Sequence, residues 1–514
     1  MKSFKLLVIL FSALLSCSSG GDSEEQPIPG GGDVSKNEIV KITPNRTRVL
    51  RNPLNGWVMY GTGDFTSNTF AGYDNIKVPG IEETINVSDY ANTLYLRTSW
   101  TLFNPEEGVY GWDTNKALKA LIHYAKSRDM RLAFRVVVDS RDKHSNFTPG
   151  FVKEAGAEGF YSQTGSATVW SPYCDDPIFQ EKYEKFIKAF AEKFDNSDVV
   201  DFIDGYGLGK WGESHAVAYK DEGNREQVFK WVVDLYLYNF KNVALAINYH
   251  RLIGTSESWG AVDSTSESLL NYALSNGYIL RQDAFGMTDY YQSWERSIAR
   301  AWNNRRPILM EGGWIVSSHS YWNDPRGYST IYDVRKGEFD DSKEGKVNTM
   351  DFRIGNETMT WFQTKEAFKL VTDFVSEGGY RLAPAQVSVP TAISNNKSFS
   401  IAHRWRNLGW GYCPTNIPQW NDKYKVAFAL LDPSTKQPKY VFVDDEPKLC
   451  DWVGGKVSSY TFTETLSGVD GGDYIWAVGI VDKTKDNSIG IELATNVDIT
   501  TDEGWVELLD VKVN

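Results

Sequence analysis

The chain has 514 residues, 41% hydrophobic and 24% charged, with a formal net charge of −13. That length exceeds one ordinary core and the composition is that of a folded chain, so extended disorder is excluded and two or three domains, or one barrel with an accessory module, are expected. With 67 acidic against 54 basic residues, and no basic stripe interleaved with aromatics, nucleic acid and anionic membrane surfaces are excluded as partners.

The first elements are targeting signals. Lys2 and Lys5 precede an apolar run, Leu6 to Leu15, of signal-peptide length and too short to span a bilayer comfortably. The run ends in Leu14-Leu15-Ser16-Cys17, which resembles the lipobox of bacterial lipoproteins. That resemblance implies a lipid on Cys17, the first residue of the mature chain, and a place in the bacterial cell envelope, at the outer membrane or cell surface. A plain signal peptide with an incidental Cys is the alternative. Residues 18–40, rich in Ser, Gly, Asp and Glu with Pro27 and Pro29, read as a flexible tether.

From residue 41 to 389 short apolar runs alternate with amphipathic helices. The expected strands are Gly56–Tyr60, Thr93–Ser99, Arg131–Val138, Val199–Tyr206, Val243–Tyr249, Tyr278–Thr288, Pro307–Met310 and Tyr380–Val387. The clearest helix carries Phe179, Tyr183, Phe186, Ile187, Phe190 and Phe194 on one stripe, with Asp176-Pro177 as cap and first turn. Others cover Leu118–Ala125, Val228–Phe240, Leu269–Ala273, Trp294–Trp302 and Phe368–Val375. Eight strands alternating with helices give an α/β chain with a (β/α)8 TIM barrel. An open doubly wound sheet competes, but no G-x-G-x-x-G follows the first strand.

Residues 390–514 change texture to short alternating strands, Ser398–Trp405, Lys425–Leu431, Tyr440–Val443, Tyr460–Glu464, Tyr474–Val481, Gly490–Leu493 and Trp505–Val511. Turn-rich pieces such as Asp432-Pro433 separate them, the pattern of an antiparallel β-sandwich. Cys413 and Cys450 share this region and are either a disulfide or two free thiols, while Cys174 is alone. No C-x-x-C, H-E-x-x-H or clustered His suggests a metal, and no cofactor motif is present.

Barrel enzymes place chemistry where strands end. The fourth strand runs into Gly207-Leu208-Gly209-Lys210-Trp211-Gly212-Glu213-Ser214-His215, and the seventh directly into Glu311-Gly312-Gly313-Trp314. Glu213 and Glu311 are therefore the candidate catalytic residues. Asn92 to Asp113, through Trp100 and Pro105-Glu106-Glu107-Gly108, resembles the second strand and loop of clan A glycoside hydrolases, especially the family 42 β-galactosidases. The C-terminal region, with Trp405-Arg406-Asn407-Leu408-Gly409 and Gly472-Asp473-Tyr474, is similar to the β-sandwich of a bacterial β-galactosidase-like family of unknown function. In that clan the acid/base glutamate ends strand four and the nucleophile ends strand seven, positions that Glu213 and Glu311 match. The resemblance implies a retaining glycoside hydrolase that acts on a β-linked glycan, such as a galactoside, by double displacement, with carboxyls about 5–5.5 Å apart. Trp100, Arg97, Arg135, Trp211, His250, Asp289, Tyr290 and Trp314 are the expected substrate contacts, Arg97 or Arg135 also holding the nucleophile ionised. His215 and Tyr291 lie close by in sequence. The 18 Trp and 27 Tyr suit stacking on sugar rings, although core packing is their default use. One departure matters. Clan A enzymes mostly carry Asn before the acid/base, and here Gly212 stands there. A non-catalytic glycan-binding lipoprotein, or a barrel used only as a scaffold, are the competing readings.

Overall fold

The computed structural model describes residues 37–62, 66, 69–314, 316 and 324–514. Cys17 and the tether residues 18–36 lie outside these, whereas residues 37–40, expected in the tether, belong to a strand, Asn37–Lys41, that pairs with Leu382–Pro390.

Eight parallel strands close into a TIM barrel: β1 (Gly56–Thr62), β2 (Ala91–Ser99), β3 (Arg131–Val137), β4 (Val200–Asp204), β5 (Ala244–Asn248), β6 (Ile279–Phe285), β7 (Ile308–Gly312) and β8 (Thr349–Asp351). Every residue of β2, β4, β5 and β7 is buried, which is why these segments read as continuous rather than alternating apolar runs. The helices form around them for the reasons their patterns give. In Pro177–Phe194 the Asp176 carboxylate accepts the Ile178 and Phe179 N–H groups at 3.0 and 2.9 Å. All six stripe residues of that helix are buried, each stabilising the packing by roughly 1.5–3 kcal/mol.

Seven expected strands take barrel positions, and the eighth does not. Tyr380–Val387 falls on Leu382–Pro390, which lies in an antiparallel sheet with Asn37–Lys41, Ser398–Asn407 and Ser458–Thr465. The true closing strand is three residues long and contains an acid, Asp351, so it carries no apolar run. Its carboxylate is used locally, accepting the N–H groups of Gly312 and Arg353 at 3.2 and 3.1 Å.

A second sheet, built on Tyr424–Leu431, Pro438–Asp444, Gly472–Asp482 and Val506–Val513, faces the first, and Phe399 meets Trp476 between them. One buried cluster joins Ala244 and Ile279, at the starts of β5 and β6, to Trp405, Trp420 and Phe428 of this sandwich. The sandwich thus closes the N-terminal end of the barrel and leaves the C-terminal mouth free. Cys174, Cys413 and Cys450 are all free thiols. Among the described residues no helix is long and apolar enough to cross a membrane.

Candidate active site

The C-terminal mouth holds a cavity of about 470 Å³. Trp211, Trp259, Tyr290 and Trp314 form its aromatic walls, and Glu213, Asp283, Arg97, Arg353, Lys143 and Asn248 supply its polar groups.

Glu213 reaches the cavity through a contorted loop. After β4 ends at Asp204, Trp211, Ser214 and Ala216 all adopt left-handed conformations, with φ of 60°, 65° and 51°. Such conformations cost energy and persist only where surroundings enforce them. Here the Ser214 hydroxyl donates to the Asn248 carbonyl at 2.9 Å, and the Asn248 amide donates to the Glu213 carbonyl at 3.0 Å. Gly212 has φ of +72°, and a Cβ there would stand 3.3 Å from Arg135 Cδ and 3.4 Å from the Gly207 carbonyl. Glycine is what this turn requires beside a buried arginine.

Beneath the cavity the barrel interior is ionic. Arg97 (β2), Arg135 (β3), Arg281 (β6) and Arg353 (after β8) converge on Glu311, whose side chain is fully buried. Its Oε1 accepts from Arg353 and Arg97, the latter at 3.4 Å, and its Oε2 accepts from Arg281. Arg97 also bridges to Glu213, at 2.8 Å, and Arg135 lies 3.3 Å from the same oxygen. Asp204 is held by the Tyr95 hydroxyl at 2.6 Å and by Arg135 Nε at 2.7 Å.

Asp283 is the third carboxylate of the mouth. It lies inside β6, where the register against β7 shifts between Gln282 and Phe285 and Ala284 takes φ of 67°. This bulge turns Asp283 toward Glu213. Single ligand oxygens of Glu213, Asp283 and Glu311 all lie within 4.8 Å of one another. Burial, then the Asp283 charge, raise the Glu213 carboxyl to about 8 against the opposing pull of Arg97 and Arg135. Burial acts the same way on Asp283, but Arg135, Arg281 and the hydrogen bond with Glu213 outweigh it and hold Asp283 well below the usual carboxylate range. Neither Asp283 oxygen meets an N–H donor within hydrogen-bond distance. A proton on Glu213 is therefore the donor that satisfies it. His215, 3.5 Å from Glu213 and stacked on His250 at 4.3 Å, is pushed by burial down to about 4 and stays neutral.

Three carboxylates this close are a geometry that suits a divalent cation, yet guanidiniums already occupy the Glu213 and Glu311 oxygens. The donor set is already filled with positive charge.

Of the expected substrate contacts, Arg97, Trp211, His250, Tyr290 and Trp314 line the cavity. The others are placed elsewhere. Trp100 is fully buried against Phe151, Phe179, Tyr183 and Phe186 behind the barrel wall, so it packs rather than binds. Arg135 is fully buried and touches carboxylates, not the cavity. Asp289 is exposed outside the cavity because β6 ends at Phe285, before it. Tyr291 is buried against Phe285. Glu311 lies beneath the cavity rather than on its wall. Sequence reasoning missed Asp283, Arg281, Asn248 and Arg353. The available signal was Arg281-Gln282-Asp283, three polar residues inside an otherwise buried strand.

No family model and no curated protein matches the chain. Among solved structures it is similar to a GH30 endoxylanase from Clostridium papyrosolvens C71, at 12% identity and TM-score 0.33 over 84% of this chain and 100% of that one. It is also similar to endo-glycoceramidase II from Rhodococcus sp., at 12% identity and TM-score 0.34 over 80% and 97%. A third is the exo-beta-1,4-mannosidase Op5Man5 from Opitutaceae bacterium strain TAV5, at 12% identity and TM-score 0.38 over 65% and 62%. Similarity this low leaves the chemistry to be argued from the residues of the site.

Proposed function

We propose that the protein is a retaining glycoside hydrolase for a β-linked glycan, with Glu213 as acid/base and Glu311 as nucleophile. The observation that carries this is the state of Glu213: a carboxyl that keeps its proton near neutral pH, on the wall of an aromatic cavity, with a second carboxylate within 4.8 Å. A protonated acid at neutral pH is what departure of a sugar oxygen needs. Asp283 is the charge that, after burial, holds the proton on Glu213, which leaves Glu311 of the three carboxylates for the nucleophile's role. Glu311 ends β7, and its oxygen lies within 4.8 Å of a Glu213 oxygen, near the separation of about 5–5.5 Å in a retaining pair. In the reaction Glu213 protonates the glycosidic oxygen as Glu311 attacks the anomeric carbon and the aglycone leaves; Glu213 then takes a proton from water, whose oxygen bonds to the anomeric carbon as the ester to Glu311 breaks and the sugar is released.

Complete burial of Glu311 under Arg97 and Arg353 favours a second reading, a barrel that binds glycan without cleaving it. Assay of wild type, Glu213→Gln and Glu311→Gln on aryl β-glycosides, galactosides included, separates the two. Turnover by wild type alone, with azide restoring Glu311→Gln or a smaller variant at that position, supports the hydrolase. Retention on glycan gels without turnover of any substrate supports binding.

The lipid anchor belongs to the same proposal. Labelling with radioactive palmitate, lost in Cys17→Ser, tests the envelope location.

A further inference from the structure

The cavity carries more cationic chemistry than a neutral sugar needs. Arg97, Lys143 and Arg353 all face it, whereas Glu213 and Asp283 are its acidic groups and Glu213 keeps its proton near neutral pH. Of the arginines around Glu311, Arg135 and Arg281 are shared with Asp204 and Asp351 deeper in the barrel, which leaves Arg97 and Arg353 on the cavity side. Arg353 is 3% exposed, and its Nε has no hydrogen-bond partner. Its guanidinium lies over the Trp314 and Tyr60 rings, at 4.4 and 4.7 Å, which fixes its plane at the cavity edge. Lys143 shares its one carboxylate, Asp142, with Lys210 and the Trp211 indole N–H, so that cluster too is short of negative charge.

We propose that the sugar bound in this cavity is acidic, a glycan unit carrying a carboxylate or sulfate group held by Arg97, Lys143 and Arg353. This deepens the hydrolase reading and rests on it for the cavity's being a sugar site. A planar guanidinium backed by an aromatic ring suits an oxyanion, and a lysine beside it adds a mobile charge. Arg97 is paired with Glu213 and Glu311, whereas Arg353 has Glu311 and Lys143 has Asp142. Burial, with Arg97 repulsion adding to it, lowers both Arg353 and Lys143 from their ordinary values, and a bound anion would relieve both.

The test is calorimetric titration of the full chain with methyl β-glucuronide, methyl β-glucoside and galactose 6-sulfate, at low and high salt, on wild type and Lys143→Gln. Lys143 is only partly buried, so its replacement leaves the fold intact, and a thermal melt checks this. The expected result is binding of the glucuronide or the sulfated sugar at least about tenfold tighter than the glucoside, weakened by salt and reduced in Lys143→Gln. Preference between the two anions says which group the site takes. Equal or tighter binding of the neutral glucoside overturns the proposal and leaves the hydrolase reading standing. No binding of any sugar, with no turnover of aryl glycosides, overturns both.

Discussion

The Glu213 and Asp283 carboxyl groups meet within 4.8 Å where the fourth-strand loop reaches the sixth strand, and burial with the Asp283 charge raises Glu213 while the arginines hold Asp283 ionised. The other groups facing Glu213 are Arg97 from β2, Arg135 from β3, Glu311 from β7 and His215 from its own loop, with Lys143 and Arg353 acting on it from the cavity edge. The cations stabilise its anion and the neutral His215 adds no charge, so burial and then the Asp283 charge keep it protonated. Asp283→Asn removes that charge and leaves burial and the more distant Glu311 opposing the cations. The protonated acid is then lost at lower pH. The basic limb of the kcat/KM profile, near pH 8 in wild type, is expected to move toward acid, with activity at pH 8 falling more than activity at pH 5. A limb that stays in place would assign it to another group.

Glu213 and Glu311 differ in what they do for the fold. Glu213 is neutral in the resting site, and Gln is close to isosteric with a protonated Glu, so Glu213→Gln should change stability by less than about 1 kcal/mol near pH 7. Glu311 is the shared counter-ion of Arg97, Arg281 and Arg353. Removing one partner of a buried ion pair costs about 3–5 kcal/mol, and Glu311→Gln should lose stability on that scale in urea unfolding. Activity loss in Glu311→Gln therefore has to be read on the fraction that remains folded. A Glu311→Gln protein as stable as wild type would mean that the arginines do not depend on it.

Much of this arrangement is legible in the sequence. Glu311 ends a four-residue apolar run, Glu213 follows a glycine-rich strand end, and seven strands announced themselves because burial on both faces writes a continuous apolar pattern. What escaped was polar by construction. Thr349–Asp351 closes the barrel with a buried acid, and Leu382–Pro390, a better strand by pattern, was drawn into its place. Arg281 and Asp283 lie inside the expected strand Tyr278–Thr288, but that they turn into the barrel interior depends on the bulge at Ala284 and on partners from other strands, which the pattern of one strand does not carry. Trp100 misled in the opposite direction, since a tryptophan after a strand suits a sugar platform or a helix–barrel core equally well.

Buried acids give the protein a stability that depends on pH in a defined direction. Burial raises Asp351 and Glu338 to about 7 and Glu213 to about 8. The folded chain thus keeps protons that the unfolded chain releases near pH 4. Their contribution is fully present below the unfolded values and is lost as pH rises through the folded ones. Below about pH 6.5 the buried neutral His215 and His250 contribute in the opposite sense, so stability should fall most clearly between about pH 6.5 and 8, by up to about 1.4 kcal/mol per pH unit for each retained proton. Asp351→Asn should flatten that slope. Unfolding midpoints in urea across this range check the sign, and a midpoint that rises with pH would contradict it.

Gly212 separates a lost catalytic feature from a reshaped one. If the missing Asn marks decay of an active site, Gly212→Asn should be tolerated and should restore function by returning a polar group beside Glu213. The local geometry argues otherwise. Position 212 has φ of +72°, and any Cβ would press on Arg135 Cδ at 3.3 Å, pushing the guanidinium that touches Glu213 and Asp204. Asn tolerates left-handed backbone better than most residues, so the backbone cost is about 1 kcal/mol, and the displaced arginine is the larger effect. Meanwhile Asn248 already presents an amide on the cavity wall and ties its Nδ2 to the Glu213 carbonyl at 3.0 Å. Gly212→Asn should therefore lower turnover and stability together. Asn248→Ala should lower kcat with a smaller loss of stability, because it frees Glu213 without touching Arg135. Higher activity in Gly212→Asn would show that the turn has room for the residue and that the glycine is a relic.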